Sequence, residues 1–327
     1  MERFEYTSPK TVKDATAMLG ASWNDAQVLA GGTDLISMMK DFVASPKRVV
    51  NIKGISELGG ISKTSAGVRI GATVTLDDLT LNHLIRTEFP SLVTAALGVS
   101  SPQIRNMGTV AGDLCQRPRC WYFRNGHGLF AMQDGKSLIP NGENRYHAIF
   151  GGNPAYFVSA SSLGPALAAL GSHVKLVSPS GARTVAVEKF FVIPKTENDR
   201  EIDLHPNEIV TEIVIPSSAG MFWHATYEIR EKQALDWPLA TASVAVMTGP
   251  GNKVVSARIM LGHVAPIPWR ASAAEKTIAG KSIDEASAEQ AAAAAVEGAQ
   301  PLSQNGYKVQ LAKVAVKRAL LAAAQKA

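Results

Sequence analysis

Hydrophobic and polar positions along the chain follow two alternating periods, and this predicts a mixture of helices and strands. Helical spacing over 12–19 is followed by short apolar strand patterns over 26–29 and 48–52. Gly31 and Gly32 separate the first of these strands from a helix that Thr33 or Asp34 is predicted to cap. The N-terminal segment therefore predicts a strand–turn–helix–strand unit with two glycines at its turn.

The later part of the chain continues with strands first and helices at the end. A strand pattern at Val68 and Ile70 precedes a helix that begins with a capping box of Thr75 and Asp78. Further segments have strand character: a hairpin over 174–185 and strands over 209–215 and 257–261. The C-terminal region predicts a helix behind a capping box of Ser282 and Glu285, then a long helix over 307–325.

Composition excludes several classes of protein. The 327 residues contain 46% hydrophobic and 19% charged residues, which is typical of a folded globular chain. The net charge of +5 comes without a dense basic cluster, so nucleic acid is not expected as a partner. Segment 146–174 carries no Asp, Glu, Lys or Arg, but its glycines and prolines predict buried structure rather than a membrane span. The N-terminus has no signal-peptide pattern, and two cysteines do not form a disulfide scaffold.

Two glycine-containing loops are the strongest candidates for ligand binding. Residues 30–35 (AGGTDL) follow a strand and open a helix, where small residues and a helix N-terminus suit a pyrophosphate. Residues 103–114 (QIRNMGTVAGDL) have similar character, and Asp113 is placed to bind a ribose or ribityl hydroxyl. Each loop alone also fits a plain tight turn. Together they favour a dinucleotide-sized ligand.

Other familiar motifs are missing from the sequence. It contains no G-x-G-x-x-G behind a strand and no P-loop, which disfavours Rossmann and P-loop nucleotide binding. The seven histidines form no i, i+4 pair, and no G-x-S-x-G elbow supports hydrolase chemistry. The sequence shows no evident nucleophile, as expected for a protein in which a bound cofactor carries out the reaction.

Five segments in order resemble the FAD-binding medium subunit of molybdenum hydroxylases, the family of xanthine dehydrogenase, CO dehydrogenase and aldehyde oxidoreductase. They are LAGGTDLISMMK (29–40), IGATVTLDDL (70–79), QIRNMGTVAGDL (103–114), YEIREKQALDWPLATASVAV (227–246) and YKVQLAKVAVKRAL (307–320). The resemblance implies an α+β fold. A two-subdomain FAD-binding domain of the vanillyl-alcohol-oxidase (PCMH) type would occupy 1–200, and a C-terminal flavoprotein domain with a small antiparallel sheet and helices would occupy 201–327.

The resemblance also implies which residues bind FAD and that no residue of this chain is catalytic. The implied FAD-binding residues are Leu29, Ala30, Gly31, Gly32, Thr33, Asp34, Leu35, Asn106, Gly108, Thr109, Ala111, Gly112, Asp113 and Ser162. Ser162 stands where many relatives carry an aspartate near the flavin.

The segment 115–152 resembles an insertion that holds a [4Fe–4S] cluster in some relatives. Such a cluster requires four thiolates, and this chain offers only Cys115 and Cys120, with Ala155 or a neighbour where a late ligand would fall. We therefore expect an insertion without a cluster or other metal, and two cysteines that act as packed or loop thiols.

The resemblance implies an electron-transfer function. Electrons would pass from [2Fe–2S] clusters of a small subunit to FAD and then to an external acceptor, beside a molybdopterin-binding large subunit in a heterotrimer. Two alternatives stay open: a free-standing FAD-dependent oxidase or dehydrogenase, and a scaffold subunit that has lost flavin. The expected location is cytoplasmic, or periplasmic if a partner with a twin-arginine signal exports the complex.

Overall fold

The computed structural model describes residues 1–99, 101–231 and 237–325. Residues 232–236 of the motif over 227–246 lie outside the described residues. The strands are β1 Glu5–Thr7, β2 Ala26–Leu29, β3 Arg48–Asn51, β4 Ile61–Thr64, β5 Gly67–Gly71, β6 Met132–Gln133, β7 Lys136–Ser137, β8 His173–Ser178, β9 Gly181–Ala186, β10 Ile209–Pro216, β11 Trp223–Ile229, β12 Ala240–Thr248, β13 Val254–Gly262 and β14 Trp269–Arg270.

Helices occupy the segments where the sequence predicts them, near residues 12, 35, 76, 285 and 307, and further helices lie between these segments. They are α1 Val12–Ala17, α2 Leu35–Lys40, α3 Leu76–Leu81, α4 His83–Glu88, α5 Pro90–Leu97, α6 Pro102–Met107, α7 Val110–Cys115, α8 Trp121–Arg124, α9 Leu163–Ala169, α10 Val187–Phe190, α11 Ser272–Ile278, α12 Glu285–Ala295 and α13 Tyr307–Ala324. Short 3₁₀ turns occupy Ser56–Leu58, Ser217–Met221 and Pro250–Asn252.

The N-terminal part contains two sheets. A small parallel sheet has the order β1-β3-β2, and its apolar core includes Ala15, Val50 and Ile52. An antiparallel sheet follows with the order β4-β5-β10-β8-β9, and helices α3, α5 and α9 contribute to its core. The turn between β2 and α2 lies at the end of the small sheet.

Strand β10 bears on the expected domain division. It lies beyond residue 200 in sequence, yet it pairs with β5 on one side and β8 on the other, in the middle of the antiparallel sheet. The division after residue 200 stays a prediction. We propose a later division, between Pro216 and Trp223, because removal of β10 would separate the strands that it joins.

The C-terminal part is a four-stranded antiparallel sheet, β11-β12-β13-β14, with helices α11, α12 and α13 on one face. Helix α9 contacts β12 and β13 from the N-terminal part. Strand β12 is buried from Ala240 to Val246 because both of its faces are covered, which explains its run of small and apolar residues.

Two predicted helix starts have different outcomes. The capping box of Thr75 and Asp78 is confirmed, with the Asp78 N–H donating to Thr75 Oγ1 over 3.0 Å. The capping box of Ser282 and Glu285 is wrong, because Asp284 and Ser287 form the box that begins α12. The carbonyl of Ser282 instead accepts a hydrogen bond from the Ser287 hydroxyl.

The uncharged segment 146–174 contains α9, in which every residue is buried. This confirms the prediction of buried structure. Among the described residues, no helix combines the length and the apolar character needed to cross a membrane.

Candidate cofactor site

The first glycine loop connects β2 to α2 and lies against the second. Gly32 has a φ of +76°, a conformation that favours glycine over other residues. A Cβ on Gly31 would lie 1.9 Å from the carbonyl oxygen of Met107, a residue of the second loop. Gly31 therefore permits the two loops to touch, and the structure brings the two predicted segments together.

The first loop has unused hydrogen-bond donors. Within the described part of the chain, the backbone N–H groups of Gly31, Gly32, Thr33 and Asp34 donate to no other residue. Successive free N–H groups in a tight turn form a concave site for anions. The loop can therefore bind phosphate oxygens through its backbone.

Most backbone N–H groups of the second loop are already bonded to acceptors within the protein. Thr109 caps α7 by accepting the Gly112 N–H over 3.1 Å, and Val110 donates to the Val74 carbonyl over 2.9 Å. The N–H of Gly108, the residue that follows α6, donates to the Ile104 carbonyl over 2.6 Å. This loop therefore supplies a rigid wall rather than a second set of free donors.

Asp113 faces the protein interior. Its carboxylate accepts hydrogen bonds from the Ser161 hydroxyl over 2.6 Å and from the Leu163 N–H over 2.9 Å. The N–H of Ser162 lies 3.3 Å from the same carboxylate. Burial raises the pKa of Asp113, and these donors act against that rise. Asp113 thus fixes the segment that carries Ser162 beside the second loop.

Asp34 occupies the N-cap position of α2, one of the two predicted, but its side chain makes no capping hydrogen bond, and Thr33 is not the N-cap residue. Asp34 Oδ2 accepts the backbone N–H of Arg117 over 2.8 Å, and Oδ1 accepts Arg124 Nη2 over 2.7 Å. Arg119 lies 3.3 Å from Oδ1. The Asp34 carboxylate that a helix cap would need is therefore already bonded to residues at the start of the insertion.

A group of four arginines surrounds the first loop. Arg117, Arg119 and Arg124 come from the start of the insertion, and Arg200 is placed over the Trp23 ring at 4.0 Å. They outnumber the carboxylates that pair with them, Asp34 and Glu201. Burial, followed by repulsion from Arg117, lowers the pKa of Arg200 to about 9. Such an excess of partly buried positive charge favours an anionic ligand.

Two cavities meet at the glycine loops. One, of about 160 Å³, extends towards Trp23, Ile52 and Leu204. The other, of about 220 Å³, extends towards Ser162 and Trp237. Both are bounded by Thr33, Asp34, Thr109, Gly112 and Gln116. The site is therefore an elongated cleft with the free backbone N–H groups of the first loop near its middle and a space at each end.

The predicted site residues differ in their position relative to this cleft. Those that line one or both of the two cavities are Ala30, Gly31, Gly32, Thr33, Asp34, Leu35, Gly108, Thr109, Ala111, Gly112, Asp113 and Ser162. Leu29 packs in the apolar cluster with α2, and Asn106 is an exposed residue of α6. Neither Leu29 nor Asn106 lines the cleft.

The sequence interpretation missed the arginines and Trp23. The segment CQRPRCWYFR places three arginines directly after the second glycine loop, and this was the available signal. Arg200 and Trp23 come from distant parts of the chain, so no local sequence pattern could predict that they pair.

The insertion has an apolar interior. Ala155 is packed with Phe123, Leu129, Phe130 and Phe157, where the resemblance places a late cluster ligand. Burial raises the pKa of Cys115 to about 12, and Cys120 Sγ is 3.2 Å from His147 Nε2. In residues 1–99, 101–231 and 237–325, no group of three or more His, Cys, Asp or Glu side chains is arranged to hold a metal ion.

Comparisons with known proteins identify the family of the chain. Residues 2–218 match the model of the FAD binding domain in molybdopterin dehydrogenase, and residues 225–323 match the CO dehydrogenase flavoprotein C-terminal domain. The chain therefore belongs to the FAD-binding medium subunits of the molybdenum hydroxylase family. This confirms the resemblance and the α+β fold with a FAD-binding domain followed by a C-terminal flavoprotein domain.

Individual relatives match over almost their whole length. The carbon monoxide dehydrogenase medium chain of Hydrogenophaga pseudoflava is 33% identical, over 98% of this chain and 97% of its own. The aldehyde oxidoreductase FAD-binding subunit PaoB of Escherichia coli is 30% identical, over 96% of each. A solved CO dehydrogenase from Oligotropha carboxidovorans aligns with a TM-score of 0.79 at 27% identity, over 100% of this chain and 99% of its own.

Proposed function

We propose that the chain binds FAD in the elongated cleft and acts as the electron-transfer subunit of a multi-subunit molybdenum hydroxylase. The observation that carries this proposal is the set of free N–H groups from Gly31 to Asp34 between two cavities. A dinucleotide has two phosphates between two ring systems, and the cleft offers donors between two spaces.

Each end of the cleft suits a different part of the ligand. Trp23 and Arg200 offer a stacking surface in the cavity beyond the first loop, which favours the adenine ring. The cavity beyond the second loop contains Ser162 and Trp237 and would receive the flavin ring. Arg117 and Arg119 would balance the charge of the pyrophosphate, and Asp113 would position the segment around Ser162.

FAD, when bound, supplies the redox chemistry of the subunit. The residues of this chain bind and orient it, exclude water from its phosphates and set the charge around its ring. A serine at position 162 adds no negative charge there, so we expect the site to favour a reduced, anionic flavin more than a site with an aspartate would.

The partners follow from the family. Relatives are named medium chains or subunits, which supports a complex with a molybdopterin-binding large subunit and a small subunit that carries [2Fe–2S] clusters. Electrons would arrive from those clusters and leave to an external acceptor. We propose no iron–sulfur cluster on this chain, because Phe123 and Phe130 of the insertion pack with Phe157 in an apolar core. We propose that the complex is cytoplasmic, or periplasmic through a partner's twin-arginine signal.

Flavin content and copurification test the proposal together. The full chain, purified and incubated with FAD, should retain flavin with its visible absorbance. Purification of the tagged chain from its own cells should recover two further subunits. An active chain without partners would instead support a free-standing flavin enzyme, and a complex without flavin would support a scaffold.

A further inference from the structure

One arginine of the insertion lies beside the space that the flavin ring would occupy. Arg119 lines the cavity of about 220 Å³ that contains Ser162, which we call the flavin-end cavity. Arg117 lines the cavity on the Trp23 side instead, and Arg124 is not among the described residues that line either cavity. Of these three arginines, Arg119 is therefore the one that adjoins the flavin end of the cleft.

The ring of Trp237 packs against the Arg119 side chain. The guanidinium carbon of Arg119 lies 5.0 Å from the centre of the Trp237 ring, and both residues line the flavin-end cavity. A stack of this kind orients the guanidinium plane and leaves its charge intact. The Arg119 side chain is 27% exposed, so its charge is only partly screened by solvent.

The carboxylate of Asp34 is shared between two arginines and does not neutralise both. Its Oδ1 lies 3.3 Å from Arg119 Nη2 and accepts Arg124 Nη2 at the shorter distance of 2.7 Å. Burial lowers the pKa of Arg119 and repulsion from Arg124 adds to this, whereas Asp34 and Asp113 act in the opposite direction. A further negative charge beside Arg119 would therefore be stabilised.

The reduced flavin ring can supply this negative charge. Two electrons and one proton convert the neutral oxidised ring into a reduced ring with one negative charge, and a cation beside the ring stabilises the reduced form. Stabilisation of the reduced form raises the reduction potential of the flavin. The pyrophosphate has the same charge in both states, so a contact with it strengthens binding of both and leaves the potential unchanged.

We propose that Arg119 raises the reduction potential of the bound flavin by stabilising the reduced, negatively charged ring. This inference rests on the proposed function for the presence of FAD, and it gives Arg119 a task beyond balancing the pyrophosphate. The electrons come from the clusters of the small subunit and the proton comes from solvent. Ser162 adds no carboxylate that would offset the charge of Arg119 in the flavin-end cavity.

The test measures the two-electron midpoint potential of FAD bound to the full chain, by stepwise reduction beside a reference dye. Arg119→Met removes the charge and keeps a long side chain, whereas Arg119→Lys keeps the charge. Arg119→Gln also removes the charge but keeps a donor for Asp34, so it provides a second neutral variant if the methionine variant does not fold. Arg124→Met is the matched control, because Arg124 binds the same Asp34 carboxylate but does not adjoin the flavin-end cavity.

We expect the neutral variants to bind reduced FAD about tenfold more weakly relative to oxidised FAD than the wild type does. For a two-electron couple this ratio lowers the midpoint potential by about 30 mV. Arg119→Lys should retain most of the wild-type potential. Arg124→Met should change the ratio by less than about twofold, because its charge lies farther from the flavin-end cavity.

The outcomes distinguish a charge beside the ring from a contact with the pyrophosphate. An unchanged potential in the neutral variants would overturn the inference, even where the Kd for oxidised FAD rises. An equal shift in Arg119→Lys or in Arg124→Met would also overturn it, since the charge at position 119 would then not be the cause. In each of these cases the chain still binds FAD and the proposed function stands. A wild-type chain that retains no FAD contradicts the proposed function and the inference together.

Discussion

Contact between the two glycine loops can be tested by the change Gly31→Ala. The added Cβ would lie 1.9 Å from the Met107 carbonyl oxygen and 2.7 Å from its carbon. These are backbone atoms, which cannot rotate away as a side chain can. The loops must separate by about 1.5 Å before the contact with the oxygen reaches an ordinary 3.4 Å.

This displacement sets the expected loss of affinity. Hydrogen bonds weaken steeply beyond about 3.5 Å, so the N–H groups of Gly31 and Gly32 would no longer meet both phosphates. Each hydrogen bond to a charged group contributes about 1.5–3 kcal/mol. Allowing for partial relaxation, we expect a loss of about 3 kcal/mol, or about a hundredfold in the Kd for FAD. Overpacking should also reduce stability by about 1–3 kcal/mol.

Two measurements separate binding from folding. Titration of the FAD-free chain with FAD, followed by quenching of flavin fluorescence, gives the Kd. Thermal unfolding of the same sample reports stability. The control is Gly220→Ala, because a Cβ on Gly220 meets open space. A Gly31→Ala chain that remains folded and binds FAD as tightly as wild type would refute the assignment of this loop to the pyrophosphate.

Three further predictions concern the insertion, the buried histidines and Arg200. Phe157→Ala should lower the free energy of unfolding by about 3–5 kcal/mol in a denaturant titration, because Phe157 is a fully buried ring of the core that the insertion shares with α2; a change below 1 kcal/mol would contradict that packing. The folded-state pKa values of His147 and His263 are lowered, so below pH 6.5 the unfolded chain binds more protons than the folded chain. The free energy of unfolding should therefore be highest above pH 6.5 and should fall as the pH drops towards 4, with a slope of about 2.7 kcal/mol per pH unit from the two histidines together. His147→Phe should remove about half of this slope, as measured by denaturation at stepped pH. Arg200→Met should weaken FAD binding about tenfold without lowering the denaturation midpoint, because it removes a ligand-facing charge whose burial is unfavourable; an unchanged Kd would exclude Arg200 from the site.

Local sequence patterns predicted the parts of the fold that depend on local interactions. The turn at Gly31 and Gly32, the capping box of Thr75 and Asp78 and the hairpin of β8 and β9 each depend on residues close together in the chain. The position of β10 could not be predicted in this way. Its neighbours β5 and β8 are distant in sequence, and an apolar strand pattern does not specify which strands it joins.

The same distinction applies to the candidate site. The pattern at Asp34 predicts a helix cap, but its carboxylate is bound by Arg117 and Arg124, more than eighty residues later. The motif around Asp113 indicated a hydroxyl ligand, whereas the carboxylate binds Ser161 and Leu163. Long-range ion pairs determine the orientation of the Asp34 side chain, and buried hydrogen bonds determine that of Asp113. Local propensity could locate the loops but not the direction of these side chains.

The flavin content of the full chain tests the central claim most directly. The purified chain is incubated with FAD, freed of unbound cofactor by gel filtration and analysed for flavin and protein. The account predicts one FAD per chain, bound to the wild type and released from the Gly31→Ala variant. A folded wild-type chain that retains no flavin after this treatment would contradict it.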